Sequence, residues 1–291
     1  MRIAVGPLLY LWERDAVFAF YRELAELPVD IVYLGEVVCS KRRALRRADW
    51  RRIGADLLAA GKEVVFSTLA LIEAESELSL LRSLAGEQLW MEANDMAAVE
   101  LLSGAPFVAG PHLNVYNAQT LALLADRGAR RWVAPVELDL ATLSGILAHR
   151  PAGLEAELFA FGRLPLAFSA RCFTARAHQR QKDDCGFVCR QYPDGMTLHT
   201  RESEPFLALN GIQTQSARVH NALGDLEVLA RAGIDVVRVS PHSPAAVEFH
   251  AVVFAIRQAL DSASAPLLPP THLPGGYCDG YLRGTAGMER R

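Results

Sequence analysis

Short β-branched and aromatic runs recur along this chain at intervals of roughly thirty residues, each followed by a longer stretch of helical periodicity, which is the spacing of repeated strand–helix units. Strands are predicted at residues 3–7, 30–35, 63–68, 89–93, 107–110, 132–136, 155–161 and 235–240. The first is followed by an amphipathic helix over 15–26, with Val17, Phe18, Phe20, Tyr21 and Leu24 on its apolar face. Alternation of this kind demands parallel pairing with right-handed crossovers, because each helix must pack back onto the sheet. Eight such units close a barrel, so the predicted fold is an α/β, (β/α)8 TIM-barrel-like single domain over 1–291. The alternative is an open, doubly wound sheet of fewer strands. No G-x-G-x-x-G string follows a predicted strand to support a dinucleotide version of it.

One region breaks the rhythm. Residues 171–200 turn polar and basic, with a turn at Tyr192-Pro193-Asp194-Gly195, and read as an insertion between strands 7 and 8. So few large apolar side chains cannot order such a segment, and a metal site would supply the missing tie. Near the C-terminus, residues 266–274 read as an extended, proline-stiffened strap.

The charge balance, 30 Lys+Arg against 33 Asp+Glu for a net −3, argues against a dedicated nucleic-acid binder. The first apolar stretch is broken by Gly6-Pro7 and lacks a cleavage signal, and no apolar run approaches the ~18 residues of a membrane span. The expected location is the cytoplasm, with no membrane span. There the five cysteines are unlikely material for a disulfide framework, which leaves metal binding, catalysis or plain burial.

Cys172, Cys185 and Cys189 lie in or at the start of the insertion, Cys39 follows the second strand, and Cys278 stands apart near the C-terminus. If Cys185 and Cys189 share a helical turn, their spacing puts both sulfurs on one face. Cys39 and Cys172 each come just past the C-terminal end of a predicted strand, and in a barrel those loops gather at one mouth. Lys41, Arg42, Arg43, Arg171, Arg176, Arg180 and Lys182 surround the four thiols in sequence, and cations favour the thiolate. A buried, inert cysteine is the competing account for each of them taken singly. Spacing alone does not separate zinc from iron–sulfur.

The string Leu34-Gly35-Glu36-Val37-Val38-Cys39-Ser40-Lys41-Arg42-Arg43, with Tyr33 before it and Asp49-Trp50 after, resembles the collagenase-like peptidase family, in its branch serving ubiquinone biosynthesis. The resemblance runs from end to end, through residues 6–10, 67–71, 107–110, 135–138, 162–174, 209–214 and 235–241. It implies a 4Fe-4S cluster held by Cys39, Cys172, Cys185 and Cys189, leaving Cys278 spare, with Val188 where some relatives carry a further cysteine. It also implies a heterodimer with the related UbiU, a lipid-carrying accessory protein UbiT, and oxygen-independent hydroxylation of a ubiquinone-precursor ring with prephenate as the oxygen donor. Alternatives within the resemblance are a non-catalytic iron–sulfur subunit for assembly or electron transfer, a peptidase, or an RNA-base hydroxylase.

Other polar residues at strand ends are weaker candidates. Ser67, Ser169 and Ser240, with His112, His220 and His242, carry no hydrolase signature and read as capping or turn residues. Glu36, Glu92, Asn114 and Glu137 fall at or just past strand C-termini, where barrel enzymes put pocket side chains. The basic run Lys41, Arg42, Arg43, Arg46, Arg47, Arg51 and Arg52 reads as a solvated helix face partnered by Asp49 and Asp56, or as a docking surface.

Overall fold

A computed structural model describes residues 1–87, 89–242, 246–262 and 275–290; residues 266–274, expected to form the strap, lie outside them. The barrel strands are β1 (Arg2–Val5), β2 (Ile31–Leu34), β3 (Glu63–Ser67), β4 (Met91–Ala93), β5 (Phe107–Ala109), β6 (Ala129–Val133) and β7 (Glu155–Phe168). Three outer strands follow, β8 (Met196–His199), β9 (Pro205–Asn210) and β10 (Gln213–Asn221), and then β11 (Val236–Val239) and β12 (Tyr277–Cys278). Parallel pairing runs from β1 through β7, and β11 closes the ring by pairing in parallel with both β1 and β7. The result is the eight-stranded closed barrel expected from the alternation.

Helices α1 (Arg14–Glu26), α2 (Arg47–Ala59), α3 (Glu75–Ala85), α4 (Met96–Leu102), α5 (Ala118–Asp126) and α6 (Leu140–Leu147) cover the outside. After the short α7 (Phe173–Ala177), α8 (Leu226–Ala232) and α9 (Ala246–Ser262) complete the ring. Starts are written in the sequence: Asp95, Asn117 and Asp139 each accept a backbone N–H of the first turn of α4, α5 and α6. None of the described helices is long and apolar enough to cross a membrane.

Strand alternation sorts the core into two layers. Ile3, Val5, Val32, Leu34, Val237 and Val239 face the helices, whereas Ala4, Ile31, Tyr33, Val65, Val108, Val133 and Val236 fill the interior. Period two then dictates that Arg238, between Val237 and Val239, also points inward. It is buried there with Glu92 and Glu157. Arg238 donates to Glu157 at 2.5 Å and to Glu92 at 2.8 Å, and its guanidinium lies 4.0 Å over the Tyr33 ring. Tyr33 donates to Glu157 at 2.6 Å. Toward the strand N-termini, Arg131 donates to Glu155 at 2.7 Å and lies 2.8 Å from Glu63, which also takes a hydrogen bond from Trp90.

The seventh strand departs from its predicted end at 161. It continues through Gly162 to Phe168, leaving the barrel to pair antiparallel with β10, which pairs with β9 and that with β8. Gly162 makes the bend: its φ is +131°, and a Cβ would stand 2.8 Å from the Ser240 carbonyl oxygen. The segment between β7 and β11 thus carries a small antiparallel sheet standing over one side of the mouth.

Candidate metal centre

Cys39 sits in the loop after β2, with Val37 and Val38 buried beneath it. Glu36 fixes this turn by accepting the backbone N–H groups of Val38 and Cys39 at 2.9 and 3.1 Å. Burial raises the Glu36 carboxyl above its ordinary value, against the pull of Arg42 and those two amides. Cys172 stands just past β7 as the N-cap of α7, its sulfur accepting the Ala175 N–H at 3.4 Å.

Cys185 and Cys189 do not share a helical turn. Between them Gly186 and Phe187 both adopt the left-handed conformation, φ +56° and +54°, which breaks the segment into two 3-10 turns. The break aims the Phe187 N–H back at the Cys185 sulfur, 3.5 Å away. It also explains Gly186, where a Cβ would stand 2.3 Å from Nη1 of Arg180.

All four thiols are half-buried and reduced, and they lie within electrostatic reach of one another. Cys172 feels Cys39 and Cys185, and Cys189 feels Cys172 and Cys185. Burial pushes the thiols of Cys39, Cys172 and Cys189 up, and Arg42 pulls against it at each. Among the described residues no three His, Cys, Asp or Glu side chains form a group tight enough to hold a single metal ion. Cys278 is elsewhere, buried in β12 beside His220, its thiol pushed up to about 12 chiefly by desolvation.

Arg42 organises this region, a role the sequence reading did not assign. Only 6% exposed, it donates to the Leu9 carbonyl and to Asn210 Oδ1, both at 2.7 Å, and reaches Cys189. One guanidinium thereby ties the loops after β1 and β2 to the β9–β10 turn. Gly211, in that turn at φ +70°, leaves room for it, since a Cβ there would meet Nη2 at 2.8 Å. Lys41 pairs with Asp183 and donates to the Lys182 carbonyl, while Lys182 pairs with Glu73. The insertion is therefore stitched to the barrel by charges on both sides of the thiols. In sequence Arg42 is one cation of the run Lys41-Arg42-Arg43, three residues past Cys39, with nothing to set it apart from its neighbours.

The remaining candidates disperse. Glu92 belongs to the Arg238 network inside the barrel, while Asn114 and Glu137 line a mouth cavity of about 230 Å3 with His112, Leu71 and Phe168. Ser67 gives its hydroxyl to Glu92, Ser169 accepts the Arg171 N–H, and Ser240 turns to the Pro241 carbonyl. Arg47 and Arg51 pair with Glu87 rather than with Asp56, and Arg14 takes Asp49, a solvated face between helices.

Several known proteins are similar to this chain. The solved structure of the U32 peptidase Mk0906 is similar at 12% identity, over 83% of this chain and 93% of that one, with a TM-score of 0.45. A dihydropteroate synthase from Xanthomonas albilineans is similar at 12% identity, over 91% and 94% of the two chains, with a TM-score of 0.40. The profile of Peptidase family U32 matches residues 18–268, most of the barrel and all four clustered cysteines, and the chain belongs to that family.

Proposed function

We propose that this chain is an iron–sulfur protein of the UbiV type, one half of an oxygen-independent hydroxylase of the ubiquinone ring. In that reading it works in the cytoplasm with UbiU as heterodimer partner and UbiT as lipid carrier, and prephenate supplies the oxygen. The observation that supports it is the mutual proximity of Cys39, Cys172, Cys185 and Cys189, three of them within reach of the buried Arg42, at the positions where the ubiquinone-biosynthesis branch carries its ligands.

The donor set suits the group. Each thiolate of a four-iron cubane binds a different iron, so its sulfurs stand further apart than the ligands of a single ion, and no tight single-ion group is required. Backbone N–H groups of Ala175 and Phe187 already point at two of the sulfurs, as in clusters whose potential is set by such bonds. Arg42 offsets part of the negative charge that four thiolates bring. When bound, the cluster would supply one-electron chemistry at the barrel mouth. The chain's own part is to hold four thiols half-buried, exclude bulk water with the insertion, and release protons from raised thiols on loading.

Anaerobically purified protein is expected to be brown, absorbing broadly toward the blue end of the visible range, with about four irons per chain. Single Cys→Ala changes at the four positions each lose iron, and Cys278→Ala keeps it. A colourless protein that carries zinc in place of iron sinks the reading.

A further inference from the structure

We infer that the cavity at the barrel mouth, between the loops after β3, β5 and β6 and the upper part of β7, binds a small, neutral, hydroxylated aromatic ring, with His112 hydrogen-bonding the hydroxyl. It is lined by Ala70, Leu71, His112, Asn114, Glu137 and Phe168, among others, and encloses about 230 Å3. That is below the ~300 Å3 at which pockets begin to hold drug-sized ligands, so it has room for one substituted ring and not for a peptide.

Three observations set the ligand's chemistry. His112 packs edge-on against Phe168, ring centroids 4.6 Å apart, and no hydrogen bond from the described residues reaches its imidazole. Burial holds that imidazole neutral, down at about 4, so it offers one donor and one acceptor, not a charge. The charge in the lining is Glu137, which accepts from Tyr116 at 3.3 Å and repels anions. Among the described residues no Lys or Arg lines the cavity, and Arg238 beneath it is held by Glu157 through Nε and by Glu92 through Nη2. A phenol satisfies the imidazole and the carboxylate; a carboxylate ligand meets Glu137 with no cation in the described lining to offset the repulsion.

The cavity also adjoins the thiols. Its Ala70 donates its backbone N–H to the Val37 carbonyl at 2.9 Å, two residues before Cys39, and its Phe168 lies four residues before Cys172. A ring in it would stand alongside the four-cysteine site. Binding itself follows from the cavity; that the ring is a reactant rests on the proposed function. In that scheme this chain holds the ring and the anionic oxygen donor is held elsewhere.

The test uses the full chain, purified anaerobically, with 2-methoxyphenol and 2-methoxybenzoate as matched neutral and anionic probes, by ligand-observed NMR and calorimetry. Iron is measured on the same samples. The phenol is expected to bind saturably and the benzoate at least about tenfold more weakly, one hydrogen bond's worth of discrimination or more. His112→Ala should weaken the phenol by about tenfold, and Leu71→Trp, which fills the cavity from a surface loop, should abolish binding with the iron content unchanged. Equal or tighter binding of the benzoate overturns the inference, as does parent-like binding by both variants. An iron-free chain that still prefers the phenol sinks the iron–sulfur reading alone; an iron-loaded chain that ignores the phenol sinks this one alone.

Discussion

The shaft of the barrel and its mouth both bury ionisable groups, and they treat them oppositely. In the shaft the buried arginines and carboxylates are paired with opposite charge: Arg238 with Glu92 and Glu157, Arg131 with Glu63 and Glu155. Burial pushes the Glu92 carboxyl up, but Arg238, Ser67 and Asn94 outweigh it and leave it below its ordinary value. At the mouth, burial prevails. The thiols of Cys39, Cys172 and Cys189 and the Glu36 carboxyl are all raised toward their uncharged forms, and His112 is kept neutral. A group completed inside the fold contributes stability; a group left incomplete there is available to something the chain does not itself contain.

The sharpest way to break this contrast is Arg238→Met, which leaves Glu92 buried without a cation and Glu157 with only Arg131, 3.8 Å away. A loss of about 3–5 kcal/mol is expected in urea unfolding. The same unfolding in Cys189→Ala should change far less, because no paired charge is orphaned.

Acid titration separates the two regions next. Unfolded, the imidazoles of His112 and His220 take a proton near 6.5, but folded they resist it down to about 4 because burial disfavours the charge. Between those values the unfolded chain binds more protons, so stability falls as pH falls, by at most about 1.4 kcal/mol per pH unit for each. His220→Gln should flatten the slope by up to one proton. The depressed Glu92 works in a lower window: its contribution is complete above the ordinary 4.5 and is lost as pH drops through its folded value.

Gly211→Ala tests the mouth by itself. Positive φ and the contact with Arg42 together should cost about 1–3 kcal/mol, and the variant should hold iron less tightly than the parent. Arg51→Ala, on the solvated face of α2 beside Glu87, should shift stability by less than about 0.5 kcal/mol. A larger effect would mean that this face is covered by a partner.

Much of the shaft was legible in sequence. Runs such as Ile31–Leu34 and Val236–Val239 are buried on both faces, as parallel strands under helices must be, and their spacing counted the barrel correctly. The outer sheet was not legible. In Gln213–Asn221 the glutamines at 213 and 215 are buried, so the polar pattern that usually marks a surface concealed a central strand. For the candidate centre, the barrel argument brought Cys39 and Cys172 to one mouth, but the left-handed pair Gly186-Phe187 undid the expected helical turn. Arg42 escaped because its burial depends on Leu9 and Asn210, distant in sequence and brought together only by tertiary packing.

The double use of β7 bears on how the chain emerges during synthesis. Its lower half waits for β11, as does the free side of β1, whose Arg2–Val5 pairs with Val236–Val239 across most of the chain's length. Until that stretch leaves the ribosome, two open strand edges are exposed to neighbouring chains. The upper half of β7 receives β10 some twenty residues sooner, a count set by β10 beginning at Gln213 and β11 at Val236. The cysteine-bearing excursion therefore shields half of a sticky edge in the nascent protein, and shortening it would be felt first as aggregation during expression, ahead of any change in the finished barrel.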